Sequence, residues 1–285
     1  MQNVARRPET KVIDSESILA GIKEATRSKI VSLEVFDEIA STNSYLLEKP
    51  GPRPGELCIA ATTNQTAGRG RRGRTWLTPP GTGLCLSMAY TFAGATDNLA
   101  PLTLAMGLGA IKSLQDADVH GIRVKWPNDL IAEDRKLGGI LTEAKTHANG
   151  SVTVVTGVGL NLDLGDGLDL RHEAKRAMPV ADLSSHAEEV PAPETLASFL
   201  VNRLHAAITN FEADGFNGIA EEWARYDWLL GRKLTVDALS EQIVGIGAGI
   251  AADGALLVDV GAADLRRIKA GTIVAAPWGG DSVPG

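Results

Sequence analysis

The chain has little of what would tie it to an oxidising compartment, a membrane or a structural metal. Cys58 and Cys85 are its only cysteines. Each sits in an apolar, strand-like run, which favours buried thiols over a disulfide. No apolar run reaches the ~18 residues that cross a bilayer, and no signal-type segment opens the N-terminus. These absences predict a cytoplasmic protein with no membrane partner. The five histidines (His120, His147, His172, His186, His205) show no paired ligand spacing, and neither C-x-x-C nor H-E-x-x-H occurs. Both omissions argue against a metal held by the protein alone. A net charge of -7 argues against duplex nucleic acid as the main partner.

Charge is also scarce locally. Between Glu56 and Asp97 there is no acid, and the only bases are Arg69, Arg71, Arg72 and Arg74. They lie in Gly68-Arg69-Gly70-Arg71-Arg72-Gly73-Arg74-Thr75-Trp76. Glycine lets backbone approach a ligand closely, and arginine grips phosphate or carboxylate oxygens with a planar fork. The stretch therefore reads as an anion site or, on the arginines alone, equally as a mobile basic loop. Gly68, Gly70 and Gly73 also spell G-x-G-x-x-G. That dinucleotide fingerprint requires a helix directly after it. Pro79, Pro80, Gly81 and Gly83 forbid one here.

What is present is a legible α+β pattern. Ile18, Leu19 and Ile22 place a short amphipathic helix in residues 15–27, and Val31, Leu33 and Val35 alternate as a strand. Ser41-Thr42-Asn43 offers a helix N-cap. Strand-like runs at 57–63 and 84–91 bracket the arginine loop, and Leu99 to Leu114 has helical spacing. Short extended runs then follow at 122–125, 130–132, 137–143 and 152–160, separated by turns. Residues 163–193 read as a polar surface excursion, and helices are expected near 194–212 and 218–229. From Lys233 to Ala275, short runs alternate with glycine turns, as in a small β-barrel. Strands in a meander with helices set apart favour α+β over a doubly wound α/β fold.

Three more motifs put polar groups where a core would be apolar. Lys125-Trp126-Pro127-Asn128-Asp129 suits a polyphosphate with Mg²⁺, although alone it reads as well as a solvated turn. Lys136-Leu137-Gly138-Gly139-Ile140-Leu141 sets a lysine beside paired glycines in an apolar strand. Gly157-Val158-Gly159-Leu160-Asn161 ends another strand in small residues and an amide.

Taken together, and in this order over about residues 30–230, these motifs resemble the biotin protein ligases. The resemblance implies a mixed β-sheet with helices on one face, shared with lipoate ligases and related to class II aminoacyl-tRNA synthetases, plus a small C-terminal SH3-like barrel. The implied boundaries are an N-terminal extension with a short helix at 1–29, a catalytic domain at 30–230, the SH3-like domain at 231–277 and a flexible tail at 278–285. The implied activity is formation of biotinyl-5′-AMP from biotin and MgATP. The biotinyl group then passes to a lysine of a biotin carboxyl carrier protein or domain of a biotin-dependent carboxylase.

By the same resemblance Ser41, Thr42, Asn43, Gln65, Gly68, Arg69, Arg71, Trp76, Lys136, Gly138 and Gly139 form the biotin site. Arg69, Arg71, Arg72, Arg74, Trp76, Lys125, Asn128, Lys136 and Asn161 form the ATP and adenylate site. Lys136, Arg71 and Lys125 are the catalytic choices, and Asp129 is the candidate Mg²⁺ ligand. A winged helix would need more than residues 1–29, since domains rarely have fewer than about 50 residues, so DNA binding is not expected. A monomer or weak homodimer is expected. The competing readings are a lipoate or octanoate ligase of the same fold, and a non-enzymatic nucleic-acid binder.

Overall fold

A computed structural model describes residues 13–92, 99–165, 178–238 and 241–275. The expected tail at 278–285, residues 1–12 of the expected N-terminal extension, and residues 166–177 of the excursion lie outside the described residues.

Seven strands form the main sheet: β1 (Ile30–Phe36), β2 (Leu57–Thr62), β3 (Gly83–Phe92), β4 (Arg123–Lys125), β5 (Asp129–Ala132), β6 (Arg135–Thr146) and β7 (Val152–Asn161). Their order is β1-β2-β3-β7-β6-β5-β4. The β1–β2 pair is parallel and every other pair antiparallel, so the sheet is mixed as expected. Alternation then sorts the side chains. Leu84, Leu86, Met88, Tyr90 and Phe92 of β3 point into the main core, and Ala89 packs in a separate cluster on the opposite face. Burying one such large apolar side chain contributes roughly 1.5–3 kcal/mol.

The helices are α1 (Ser15–Ala20), α2 (Glu24–Arg27), α3 (Thr42–Glu48), α4 (Leu102–Asp116), α5 (Pro193–Asp214) and α6 (Ala220–Tyr226). The buried side of α4, and Leu196, Leu200 and Leu204 of α5, join the main core. Helix α3 departs from the one-face expectation. Its Leu46 packs with Ala60, Ala89 and Val155 on the other face of the sheet, which leaves the rest of that face for a site.

The expected helix over 15–27 is broken in two. A side chain at Gly21 would stand 2.6 Å from Ser198 Oγ, so α5 passes close by. Asn202 of α5 accepts from the Lys23 amide at 3.0 Å and donates to the Gly21 carbonyl at 3.1 Å. These bonds replace those a continuous helix would have made. The excursion is likewise not wholly a surface feature. Lys136 N–H donates to Pro179 O at 2.7 Å, Ala181 N–H donates to Lys136 O at 2.9 Å, and Ala181 and Leu183 are buried.

The C-terminal segment forms β8 (Lys233–Ala238), β9 (Gln242–Ile250), β10 (Leu256–Asp259), β11 (Leu265–Ile268) and β12 (Gly271–Ala275), in the order β11-β10-β9-β8-β12. All pairs are antiparallel. No pairing joins β11 to β12 among the described residues, so the expected barrel is here an open five-stranded sheet. Leu234, Val236, Leu256 and Val258 belong to the same core as the main sheet. Trp126 Nε1 donates to Gly254 O at 3.0 Å, a further tie between the two.

Asp227, on the crossing between the sheets, is buried, and its Oδ1 accepts from the Leu229 amide at 2.9 Å. Its Oδ2 finds no partner among the described residues. Burial pushes this carboxyl up to about 6. The unfolded chain holds the same proton near pH 4. The folded state therefore binds it more tightly, and stability should fall as pH rises between about 4 and 6 and stay lower above. Asp227→Asn removes the buried charge, so it is expected to stabilise by roughly 1–3 kcal/mol near pH 7.5. Melts at both ends of the range check the sign: the gain should shrink toward pH ~4, and an equal shift at both would exclude charge as the cause.

Candidate functional site

The free face of the main sheet is floored by backbone. Gly157 and Gly159 on β7 and Gly139 on β6 point out of it, and the two on β7 leave room for a neighbour. A Cβ on Gly157 would lie 2.1 Å from Asn43 Oδ1, and one on Gly159 would lie 2.5 Å from Trp76 Cε2. The missing side chains are thus the seats of Asn43 and of the Trp76 indole. A cavity of about 240 Å³ lies above this floor, between the start of α3, the arginine loop, the Lys125–Asp129 turn and β12.

One end is neutral and polar. Ser41 is extended at the α3 N-cap and accepts from Ser44 N–H at 3.4 Å. Thr42 donates from its amide to Gln65 Oε1 at 2.8 Å and from its hydroxyl to the same oxygen at 3.2 Å. Ser87 Oγ on β3 lies 2.7 Å from Thr42 Oγ1 and 2.6 Å from Asn43 Oδ1, so its one proton serves either acceptor. Such a buried network fixes the side chains against the sheet.

The other end is cationic. Lys136 Nζ lies 2.6 Å from Asp129 Oδ1 and 5.6 Å from the Trp76 ring centroid. Burial alone would raise the Asp129 carboxyl, but the Lys136 and Lys125 charges outweigh it and hold it below the usual range. Burial pulls the Lys125 ammonium down, against the opposing pull of Asp129. Its Nζ faces Met178 Sδ at 3.9 Å and the Trp228 ring at 5.9 Å. The Arg71 guanidinium is likewise held below its usual range, first by burial and next by Arg72. Arg71 Nη1 meets Asn128 Oδ1 at 3.4 Å, and Asn128 Nδ2 donates to Ile140 O at 2.7 Å. Together these cations suit an anionic ligand that would offset their crowding.

The loop follows its glycines. Arg71–Gly73 form one 3-10 turn, with Arg72 at φ 56° and Gly73 at φ 71°, and no helix follows, as the prolines required. Arg72 Nη1 donates to Thr272 Oγ1 at 2.6 Å, so the C-terminal sheet reaches the loop.

Most of the expected residues line this one cavity: Ser41, Thr42, Asn43, Gln65, Arg69, Arg71, Arg72, Arg74, Trp76, Lys125, Asn128, Asp129, Lys136 and Gly139. Three do not. Gly68 packs under the Trp76 carbonyl, where a Cβ would stand 2.2 Å from that oxygen. Gly138 faces the strand partner, with Gly159 O at 2.6 Å from its would-be Cβ. Asn161 clasps the excursion, donating to Ala181 O at 2.9 Å. Arg69 is at the wall, but its fork is filled by Glu143. The lining residues Met178, Val180, Gly271, Thr272 and Ile273 carried no motif, and the sequence reading missed them.

Comparison with known proteins gives the family. The sequence pattern of the biotin/lipoate A/B protein ligase family matches residues 35–161. The "Bifunctional ligase/repressor BirA" of Escherichia coli strain K12 is 34% identical over 230 residues, covering 80% of this chain and 69% of that protein. The "Biotin--[acetyl-CoA-carboxylase] ligase" of Mycobacterium tuberculosis is 30% identical over 250 residues, covering 85% of this chain and 88% of that protein. Among solved structures, the biotin protein ligase of Aquifex aeolicus in complex with biotin and ATP has the same fold. It aligns with a TM-score of 0.69 at 21% identity, over 86% of this chain and 97% of its own. The chain belongs to the biotin/lipoate A/B protein ligase family.

Proposed function

We propose that this chain is a biotin–protein ligase. It activates biotin with ATP as biotinyl-5′-AMP, then transfers the biotinyl group to a lysine of a biotin carboxyl carrier domain. One observation carries the reading: a single cavity joins a neutral hydrogen-bonding end at Thr42 and Gln65 to a cationic end at Arg71, Lys125 and Lys136. The biotin ring has amide-like groups for the first end, and a carboxylate to be joined to a phosphate at the second.

In the first step a biotin carboxylate oxygen attacks the α-phosphorus of ATP, and pyrophosphate leaves. Both reactants are anions, so fixed positive charge at Lys136, Arg71 and Arg74 lowers the barrier where they meet. In the second step the neutral acceptor amine attacks the acyl carbon and AMP leaves with the bonding electrons. No enzyme nucleophile is required. A Mg²⁺ arriving with the phosphates would find one carboxylate, Asp129, which fits an ion that keeps most of its waters. When bound it would supply charge to neutralise the departing pyrophosphate. The C-terminal sheet is read as the family's SH3-like module, supporting the arginine loop through Thr272. A cytoplasmic monomer or weak homodimer completes the reading.

Exchange of labelled pyrophosphate into ATP tests it, with biotin and lipoate as parallel arms. Biotin-dependent exchange, followed by labelling of a carrier domain, is the expected result; exchange with lipoate alone would replace the substrate. The glycine floor gives a finer check. Gly159→Ala forces the Trp76 ring to move, and overpacking of this kind costs about 1–3 kcal/mol. Biotin affinity by calorimetry should fall about tenfold or more. Unchanged affinity would take Trp76 out of the biotin slot.

A further inference from the structure

The arginine loop carries four like charges, and one of them faces a carboxylate outside the cavity. Glu143 stands on β6, paired with Val155 of β7. The Arg69 fork engages it from both nitrogens, Nη2 to Oε1 at 2.6 Å and Nη1 to Oε2 at 3.2 Å. Arg69 Nη1 also donates to Ser44 Oγ at 3.2 Å, and Asn43 Nδ2 donates to Glu143 Oε2 at 3.1 Å. One carboxylate thus joins the loop, the first turn of α3 and the sheet. Glu143 does not line the main cavity; it borders a recess behind the loop.

What is fixed at Arg69 is transmitted to the arginines beyond it. Arg69 pairs with Thr75 across the base of the loop, and Gly70 N–H donates to Arg74 O at 2.7 Å. The turn bearing Arg71 and Arg72 hangs from that base. The geometry points to Glu143 as a positioning residue. Through Arg69 it holds the arginine loop closed over the acyl-adenylate without touching the ligand. This inference rests on the ligase reading. It gives the arginines separate roles, with Arg69 as the anchor and Arg71 facing the cavity.

The test uses the full chain carrying Glu143→Ala, Glu143→Gln, Arg69→Ala and the Arg69→Ala/Glu143→Ala double change. Asn43 keeps its bond to Leu141 O at 3.1 Å in each, so the α3 turn retains a hold on the sheet. Adenylate release is followed by rapid filtration and its formation by single-turnover quench. A bidentate pair of which both partners are partly exposed should be worth about three- to tenfold in release rate. Glu143→Ala should release that much faster, with formation within about twofold of the parent, and Glu143→Gln should fall between. The double change should release no faster than the quicker single one, because both remove the same contact. Additive effects, or unchanged release in Glu143→Ala, overturn the assignment.

Trypsin cleavage within the loop, followed without ligand, judges the anchor independently of any activity. Glu143→Ala should be cut about three- to tenfold faster, in step with the loss of the anchor. Equal cutting overturns the proposal. A parent chain that forms no adenylate sinks the ligase reading alone, and the trypsin result then stands by itself.

Discussion

Lys136→Ala is expected to slow adenylate formation by about a hundred- to a thousandfold while leaving ATP binding within a fewfold of the parent. The reason lies in where its charge sits. Lys136 starts β6 at the cavity, with its ammonium 2.6 Å from Asp129 and near the Trp76 ring. Both its amide and its carbonyl are tied to the 178–181 segment, so its backbone is held on two sides. A cation fixed in that manner favours the transition state, where acyl and phosphate oxygens share new negative charge, more than either separate reactant. On the proposed reading the triphosphate would keep Arg71, Arg74 and Lys125. Single-turnover quench against biotin, set beside ATP calorimetry, separates the two effects. Equal losses in both would make Lys136 a general phosphate contact, and formation at the parental rate would remove it from the chemistry.

Arg71→Ala is expected to slow formation less than Lys136→Ala does and to act most strongly at a later stage. The variant should still make biotinyl-AMP but release it about ten- to a hundredfold faster. Burial and the neighbouring Arg72 already disfavour the Arg71 cation, and Asp129 opposes them. An anionic ligand relieves that crowding, so the closed loop and the bound adenylate stabilise each other. A charge-assisted contact of this kind is worth about 1.5–3 kcal/mol, which sets the range of the effect. Released adenylate acylates whatever amine it meets, so labelling of a bystander such as albumin should rise in parallel. Retention equal to the parent's would mean that Arg71 does not close the site.

Much of this was legible in the sequence because the site is written in short motifs. Gly68 to Trp76, Lys125 to Asp129 and Lys136 to Leu141 each sit at a strand end or turn, where local residue choice and cavity lining coincide. The strands of the mixed sheet were legible as short apolar runs, and β1 from alternation. Less could be read where partners are distant. Gly21 looks like any helical glycine until Ser198 and Asn202 of α5 meet it, and β11, Leu265-Arg266-Arg267-Ile268, is too charged to announce a strand. Gly138 and Gly139 are indistinguishable in sequence; only the pleat decides that one faces the cavity and its neighbour the packed sheet. Thr272 gave no signal at all, since a threonine in a short apolar strand becomes a loop contact only through the position of the C-terminal sheet.

The contact between Arg72 and Thr272 joins residues 200 positions apart in the chain. During synthesis the arginine loop therefore leaves the ribosome long before the strand that steadies it. At about 5–20 residues per second that interval is roughly 10–40 seconds. In its later part, once β7 has emerged, a nascent chain could assemble the glycine floor and the Thr42–Gln65 network, yet lack the last wall of the cavity. Closure of the cavity wall is thus tied to the appearance of β12, and a ribosome stalled before Gly271 would display the arginines without that support.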